Sequence, residues 1–252
     1  MLKNGKSPGM DGVTSEMLKY GGGMLECFLR RLFNVCMKCA RVPEEWRKAV
    51  IVPLYKGKGD KFNCNSYRAI SLLSVPGKLF ARIVIDRVRE ITQGKIWDVQ
   101  SGFMPGKGCA DQIFALQQVV EKFGNARRKV YGAFVDLEKA YDNVDRRVLW
   151  ECLSEYGVKG GLLNVLKAIY SDSKACVRIN DGTSDWFTVG RGVKQGCVMS
   201  PWLFNVFMDK CIRLTCENEG GITVGGVPVQ VLLYADDAVF LSETEQIGRA
   251  HV

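Results

Sequence analysis

The sequence predicts a mixed α/β (α+β) fold class. Long segments carry apolar residues at helical spacing, shorter runs rich in β-branched and aromatic residues lie between them, and two of these runs end at aspartates. The chain has 252 residues, of which 47% are apolar. This is enough to bury one large core or two subdomains that share a cleft.

Apolar periodicity predicts helices at about residues 15–40, 76–94, 109–126, 146–156, 161–172 and 201–218. The second of these has Ser74 as a cap and Pro76 in its first turn, and the last opens on Ser200-Pro201, a cap followed by proline at the first helical position. In the helix at 76–94 the apolar stripe consists of Leu79, Phe80, Ile83, Val84, Val88 and Ile91.

Strands are predicted at about residues 49–55, 129–136, 175–180, 185–190, 222–225 and 227–242. Asn180-Asp181-Gly182 and Gly225-Gly226 are hairpin signals, because these residues tolerate the backbone angles of tight turns.

The last predicted strand is interrupted by Tyr234-Ala235-Asp236-Asp237. Two adjacent carboxylates repel each other unless a cation or solvent relieves the repulsion, and aspartate is a poor strand former. A solvated Asp-Asp turn would explain the pair alone, because aspartate favours turns. A metal site is the alternative.

A third carboxylate, Asp136, ends the apolar run at residues 130–135. If its strand neighbours the strand that carries Asp236 and Asp237, the three acids can converge on two divalent cations roughly 3.5 to 4 Å apart, the arrangement that serves phosphoryl transfer. Hard oxygen ligands favour Mg²⁺ or Mn²⁺.

Six segments resemble, in the same order, the motifs of reverse transcriptases from non-LTR (LINE-type) retrotransposons. They are KSPGMDG at 6–12, SYRAISLL at 66–73, QSGFMPGK at 100–107, FVDLEKAYD at 134–142, GVKQGCVMSP at 192–201 and YADD at 234–237. Ala69 and Met104 depart from the pattern, where the family commonly has proline and arginine.

The resemblance implies an RNA-directed DNA polymerase that adds dNTPs to a DNA primer on an RNA template. It implies a right-hand fold of fingers and palm, with an antiparallel palm sheet flanked by helices. Residues 1–128 correspond to basic fingers with part of the palm scaffold, and residues 129–246 to the palm. Asp136, Asp236 and Asp237 are then the catalytic residues and the ligands of two Mg²⁺ or Mn²⁺ ions.

Around the nucleotide, the resemblance implies that Tyr141 excludes a 2′-hydroxyl and that Gln195 and Gly196 border the pocket. A core aromatic would also explain Tyr141, and a plain loop before a core helix would explain much of the segment around Gln195. Arg68 is expected to hold the triphosphate, because guanidinium binds phosphate oxygens bidentately.

Lys56, Lys58 or Lys61 is expected to assist Arg68, and the spacing does not choose among them; Lys56 is the residue we select. Basic residues in such a loop are otherwise simply solvated. Nucleic-acid contacts are expected from Lys107 and from the polar face of the helix at 76–94, where Lys78 and Arg82 lie. That face is alternatively a solvated surface.

Charge is unevenly distributed, which agrees with this reading. The net charge is +8, with 23 Lys/Arg against 11 Asp/Glu in residues 1–129 and 12 against 16 in residues 130–252. A basic half suits salt-dependent, sequence-independent binding of phosphates. Ten irregularly spaced cysteines predict reduced, buried thiols in an intracellular protein, nuclear and cytoplasmic, and no segment predicts a signal peptide or a membrane span.

The thumb and the endonuclease of the parent polyprotein are expected to lie outside this chain. Residues 247–252 are expected to be a non-native tail, because they match one reading frame of a common sequencing adapter. Besides an active polymerase, an inactive transposon remnant that at most binds nucleic acid stays open. An RNA-templated RNA polymerase or a group II intron-type maturase shares the palm chemistry, but Tyr141 disfavours the former and residues 134–142 look more LINE-like than the latter.

Overall fold

A computed structural model describes residues 2–180, 182–216 and 221–245. The chain divides into two compact units, and both are discontinuous in sequence. The first unit contains Met1–Thr92 and Tyr141–Ser200, and the second contains Gln93–Ala140 and Pro201–Val252. The assignment of fingers to residues 1–128 and palm to residues 129–246 remains a prediction, and residues 247–252 lie outside the described part.

The first unit contains most of the helices and five strands. Its helices are α1 (Ser15–Tyr20), α2 (Gly22–Cys39), α3 (Glu44–Arg47), α4 (Val75–Thr92), α7 (Arg146–Glu155) and α8 (Gly160–Tyr170). Its strands are β1 (Lys48–Tyr55), β2 (Tyr67–Leu72), β4 (Lys174–Ile179), β5 (Gly182–Thr183) and β6 (Phe187–Thr188). The short helix α6 (Ala140–Asn143) lies at the boundary between the units.

The five strands form one sheet in the order β2-β1-β4-β5, with β6 also paired to β4. β1 pairs antiparallel with β2 and parallel with β4. The β1–β2 hairpin brings Leu54 opposite Arg68 and Tyr55 opposite Tyr67. Lys56, directly after β1, therefore lies near the start of β2.

Helix α4 supplies much of the first unit's core. Phe80, Val84 and Val88 are fully buried, as the apolar stripe predicts. Ile83 and Ile91, which were predicted to join that stripe, are more than one-third exposed. The ring of Phe80 packs against Phe33 and Trp46, with ring centroids 5.3 and 5.4 Å apart.

The second unit combines a three-stranded sheet, a hairpin and two long helices. Its elements are α5 (Cys109–Asn125), β3 (Tyr131–Asp136), α9 (Ser200–Thr215, with Ser200 in the first unit), β7 (Ile222–Val224), β8 (Val227–Val229), β9 (Val231–Tyr234) and β10 (Asp237–Ser242). The sheet order β3-β10-β9 is antiparallel throughout, which confirms the predicted antiparallel sheet. One face of this sheet packs on α5 through Val119, Phe123 and Leu241.

Several predicted elements need correction. The helix predicted at 15–40 is two helices, because Gly22 adopts the left-handed backbone (φ +67°). The strand predicted at 227–242 is divided into β8, β9 and β10, and the one at 185–190 shrinks to β6. β2 was not predicted as a strand, and it forms because its backbone pairs with β1. The Gly225-Gly226 hairpin is confirmed between β7 and β8.

The ten cysteines are free thiols, as predicted. Cys36, Cys152, Cys176 and Cys197 are buried, but Cys39, Cys64 and Cys109 are exposed, so the prediction of burial is wrong for these three. None of the helices in the described residues is both long enough and apolar enough to cross a bilayer.

Candidate active site

The end of β3 and the start of β10 bring two acids together. Asp136, the last residue of β3, lies directly opposite Asp237, the first residue of β10. Side chains of directly opposed residues project from the same face of a sheet. β3 and β10 are therefore neighbouring strands, which is the condition that the sequence analysis sets for the acids to meet.

Asp236 lies in the turn between β9 and β10, next to Ala235. We call residues 234–237 the carboxylate turn. Ala235 is buried and holds a left-handed backbone with φ +58°, a conformation that costs a residue with a side chain about 1 kcal/mol or more. This backbone angle changes the direction of the chain between β9 and β10. Asp236 therefore lies in the turn and not in either strand.

The surroundings of Asp237 disfavour its charged form. Partial burial, followed by the nearby charges of Asp236 and Asp136, raises the pKa of Asp237 above its ordinary value. Like charges directly opposite each other destabilise a strand pair. The sheet therefore holds these acids at a cost in stability, as is common at sites that bind a cation or perform chemistry.

The donor chemistry fits a hard divalent cation, because Asp136, Asp236 and Asp237 offer only carboxylate oxygens. Among residues 2–180, 182–216 and 221–245, no three acidic, cysteine or histidine side chains form a preformed metal cage. We therefore infer the fit of a divalent cation from the register between β3 and β10 and from the repulsion at Asp237.

One residue that contacts the carboxylate turn was missed by the sequence analysis. Gln100 is 2% exposed, and its side-chain Oε1 accepts a hydrogen bond from the Ala235 backbone N–H at 2.8 Å. Its Nε2 donates to the Ala235 carbonyl at 3.2 Å. The only sequence signal was that Gln100 opens one of the six matched segments.

In the first unit, Gln195 is held at both its backbone and its side chain. Its carbonyl accepts a hydrogen bond from the Ser71 N–H of β2 at 3.1 Å, and its Nε2 donates to the two carboxylate oxygens of Asp142 at 3.3 and 3.2 Å. Asp142 is the last residue of the matched segment at 134–142, and the sequence predicts no role for it. We call residues 190–197 the Gln195 loop.

Gly196 cannot readily be replaced by another residue. It has φ +95°, and a Cβ at this position would lie 3.1 Å from the Ser71 carbonyl oxygen. A side chain would be both strained and crowded there. Glycine at this position lets the Gln195 loop lie against the backbone of β2.

The Gln195 loop is also fastened to the segment that carries Tyr141. The Val193 N–H donates to the Tyr141 carbonyl at 2.8 Å, and the Gly192 N–H donates to the Val144 carbonyl at 2.9 Å. Tyr141 is half-buried on α6. Its role as a gate for the sugar remains a prediction.

Arg146 contacts the Gln195 loop and residues next to it. Its guanidinium donates to the carbonyls of Val189, Gly192 and Arg191 at 2.9, 2.9 and 3.2 Å, and to that of Tyr170 at 3.1 Å. It also lies 5.1 Å from the centroid of the Tyr170 ring. Partial burial lowers the pKa of Arg146.

Lys194 is the second cation that holds the Gln195 loop in place, and it lies within the loop itself. Its Nζ donates to the carbonyls of Trp46 and Arg47, at the C-terminus of α3, at 3.3 and 3.2 Å. Burial, more than any other effect, lowers the pKa of Lys194 to about 8. Arg146 and Lys194 thus stabilise the loop through backbone carbonyls.

A pocket of about 310 Å³ lies between the sheet of the first unit and the Gln195 loop. Ala49 and Ala69 form part of its apolar wall, and Asp142, Arg146 and Gln195 supply polar groups. Arg68 is exposed on β2, and Lys56 donates to the Asn65 carbonyl at 2.8 Å. These positions leave the predicted triphosphate contacts of Arg68 and Lys56 as predictions.

Of the three residues predicted to contact nucleic acid, two form ion pairs within the protein and the third is half-buried. Lys107 forms an ion pair with Asp98 at 2.6 Å, and Arg82 forms one with Asp86 at 2.9 Å. Lys78 is half-buried, and its burial lowers its pKa. Their roles in nucleic-acid binding remain predictions.

Comparison with known proteins connects these features to a family. The sequence profile described as reverse transcriptase (RNA-dependent DNA polymerase) matches residues 56–252. The chain is 31% identical, over 94% of its length, to the retrovirus-related Pol polyprotein of the type-2 retrotransposable element R2DM from Drosophila melanogaster. It is 28% identical over 96% of its length to a 149 kDa protein of transposon TX1 from Xenopus laevis. It covers 22% and 19% of these relatives, so it spans about a fifth of their length.

Solved structures support the fold. Telomerase from Candida tropicalis is similar with a TM-score of 0.54 at 12% identity, over 90% of this chain and 50% of that one. At this identity the similarity shows a shared polymerase fold and no more. Reverse transcriptases generally use divalent metal ions. Together with the match of the family profile over most of the chain, these findings show that the chain belongs to the reverse transcriptase (RNA-dependent DNA polymerase) family.

Proposed function

We propose that this chain is the polymerase segment of a larger LINE-type retrotransposon protein that synthesises DNA on an RNA template. The primer 3′-hydroxyl attacks the α-phosphate of a dNTP in line, and pyrophosphate leaves. The observation that supports this most strongly is the register that brings Asp136 opposite Asp237, with Asp236 on the adjoining turn.

In this proposal Asp136, Asp236 and Asp237 hold two divalent cations, Mg²⁺ or Mn²⁺. When bound, such a pair stabilises charge on the attacking and leaving oxygens. Burial, followed by the charges of Asp236 and Asp136, raises the pKa of Asp237, and this supports the assignment because a cation would relieve the repulsion among the three acids.

The remaining residues are proposed to bind and select the nucleotide. Arg68 contacts the triphosphate with Lys56 beside it, and Gln195 and Gly196 border the nucleotide. Tyr141 excludes ribonucleotides by the bulk of its ring. Lys107, Lys78 and Arg82 are proposed to contact the RNA template or the DNA primer. To do so, Lys107 and Arg82 must give up their ion pairs within the protein, and Lys78 must leave its half-buried position.

The test is primer extension on poly(rA) with an oligo(dT) primer, Mg²⁺ and dTTP. The protein is the chain completed with a thumb region from a relative, compared with its Asp236→Ala variant. Asp185→Ala is the matched control, because Asp185 is an exposed aspartate between β5 and β6. We expect the Asp236→Ala variant to lose synthesis by at least about 10³-fold and the control to retain it.

No synthesis by the folded, completed chain would refute the proposed activity. Salt-sensitive RNA binding in that case would identify the protein as a remnant that only binds nucleic acid. Preferential incorporation of UTP over dTTP would instead indicate an RNA-templated RNA polymerase.

A further inference from the structure

Gln100 contacts the carboxylate turn at the residue that precedes Asp236. Its amide group bonds with both polar groups of the Ala235 backbone, accepting from the N–H and donating to the carbonyl. The same Oε1 accepts a third hydrogen bond, from the Gly102 N–H at 2.7 Å. One side chain therefore satisfies three backbone groups.

This contact is buried. Gln100 is 2% exposed and Ala235 is 5% exposed, so water has little access to replace the hydrogen bonds. A backbone group that is buried without a partner costs about 1–3 kcal/mol. Loss of the amide would therefore strongly favour a different arrangement of the turn.

Gly102 adds a steric constraint. A Cβ on Gly102 would lie 2.2 Å from the Ala235 nitrogen, closer than any real contact. The Gly102 carbonyl in turn accepts a hydrogen bond at 2.7 Å from Asn205, which is fully buried on α9. The segment that holds Gln100 is thus itself held close against the turn.

The backbone that Gln100 holds is strained. Ala235 has φ +58°, which a residue with a side chain adopts only when its surroundings enforce it. The hydrogen bonds on both sides of Ala235 supply that enforcement. This angle leads the chain into Asp236 and into the start of β10, where the register opposite Asp136 also constrains Asp237.

We infer that Gln100 is a positioning residue for the carboxylate turn, where it orients Asp236 and Asp237 for a divalent cation through the backbone of Ala235. The inference rests on the proposed function, because it assumes that these aspartates bind a cation. Groups that orient metal ligands typically change metal affinity by 10-fold to 100-fold when they are removed.

The test is a titration of this chain with Mn²⁺ alone, in which the free ion is measured by electron paramagnetic resonance. Gln100→Met removes all three hydrogen bonds with little change in volume. The matched control is Gln112→Met, because Gln112 is a half-buried glutamine that donates to the Val99 carbonyl at 3.1 Å and to the Ser101 hydroxyl at 2.5 Å. It supports the same segment as Gln100 but does not bond with residues 234–237. Asp236→Ala tests the site itself.

We expect Gln100→Met to weaken Mn²⁺ binding at least about 10-fold and Gln112→Met to change it less than about twofold. Binding by Gln100→Met within twofold of the unchanged chain, or an equal loss in both glutamine variants, would overturn the inference. If Asp236→Ala binds Mn²⁺ as the unchanged chain does, the metal site of the proposed function fails instead.

A second measurement needs no variant and is independent of metal. Because Gln100 accepts the Ala235 N–H, that amide should exchange with solvent as slowly as the paired amides of β9 and β10. Slow exchange supports the inference even if Gln100→Met fails to fold. Exchange at the rate of an open turn would overturn it.

Discussion

The carboxylate turn and the Gln195 loop are held in place in different ways. The turn carries like charges, and the contacts that define its backbone come from a neutral amide, that of Gln100. The loop is held by cations, because Arg146 and Lys194 donate to backbone carbonyls in and around it. A neutral anchor leaves the carboxylates free to bind a cation, whereas a cationic anchor would neutralise them.

The difference also separates function from stability. Burial and the like charges of Asp236 and Asp136 raise the pKa of Asp237, so removal of a carboxylate there should cost the fold nothing. Arg146 and Lys194 each donate to several backbone carbonyls, so their removal should be costly. Four variants can break or sharpen this comparison.

The largest effect is expected at Arg146. Arg146→Met removes a donor from four carbonyl groups, of which that of Tyr170 keeps a hydrogen bond from Ser173, and should lower the free energy of unfolding by about 3 kcal/mol or more, measured by urea denaturation. The control is Arg147→Met, because the side chain of Arg147 is 81% exposed; it should change stability by less than about 0.5 kcal/mol. Equal losses in the two variants would show that the guanidinium does not anchor the loop.

Lys194 should make stability depend on pH. The unfolded chain holds this proton up to its ordinary pKa of 10.5, while the folded protein releases it near pH 8, so the unfolded state binds more protons between these values. The unchanged protein should therefore gain stability relative to Lys194→Met as pH rises from about 8 to 10, by on the order of 1–2 kcal/mol. A difference that stays constant over this range would contradict the buried charge.

Asp142 should affect nucleotide binding through Gln195. Asp142→Ala removes the acceptor of the Gln195 amide, and in the completed polymerase it should raise KM for dTTP about threefold to tenfold with a smaller change in kcat. Asp142→Asn keeps an acceptor oxygen and should restore KM to within about twofold. If Asn and Ala behave alike, Asp142 does not position Gln195.

The smallest effect is expected at Asp237, and its sign is informative. At pH 7 without divalent cations, Asp237→Asn should raise the free energy of unfolding by about 0.2–1 kcal/mol, because it removes repulsion by Asp136 and Asp236. A raised pKa means that the folded protein takes up this proton first as pH falls, so the advantage should vanish on acidification towards the ordinary value of 3.8. Thermal unfolding at several pH values measures it.

Asp185→Asn, at an exposed aspartate, is the control and should leave stability unchanged. A less stable Asp237→Asn protein at pH 7 would contradict the repulsion at the turn. In that case the charges of the carboxylate turn, like those that hold the Gln195 loop, would stabilise the fold.

Much of the fold could be predicted because it depends on local patterns. The helices at 109–126 and 146–156 and the strand at 129–136 have strong periodicity, and the structure places them within about two residues. β2 was missed because its sequence has no strong strand pattern. It becomes a strand because it pairs with β1. The break at Gly22 required a left-handed backbone that glycine permits but does not dictate.

The candidate site, like the fold, could be predicted only in the part that depends on local sequence patterns. The carboxylates Asp136, Asp236 and Asp237 could be found because acids at strand ends are conspicuous and because six motifs occur in the family's order. Gln100 and Arg146 could not be assigned, because each acts on backbone groups that are distant in sequence. Their contacts are with atoms that every residue possesses, so no residue type marks the partner.

The sequence by itself determined the fold class, the family and the identity of the acids, because these follow from local periodicity and ordered motifs. The tertiary structure decided that Asp136 faces Asp237, that Ala235 is held in a left-handed conformation by Gln100, and that Gln195 is oriented by Asp142. The reason is physical: strand register and hydrogen bonds to backbone depend on which segments become neighbours, and many sequences satisfy the same local pattern without fixing those neighbours.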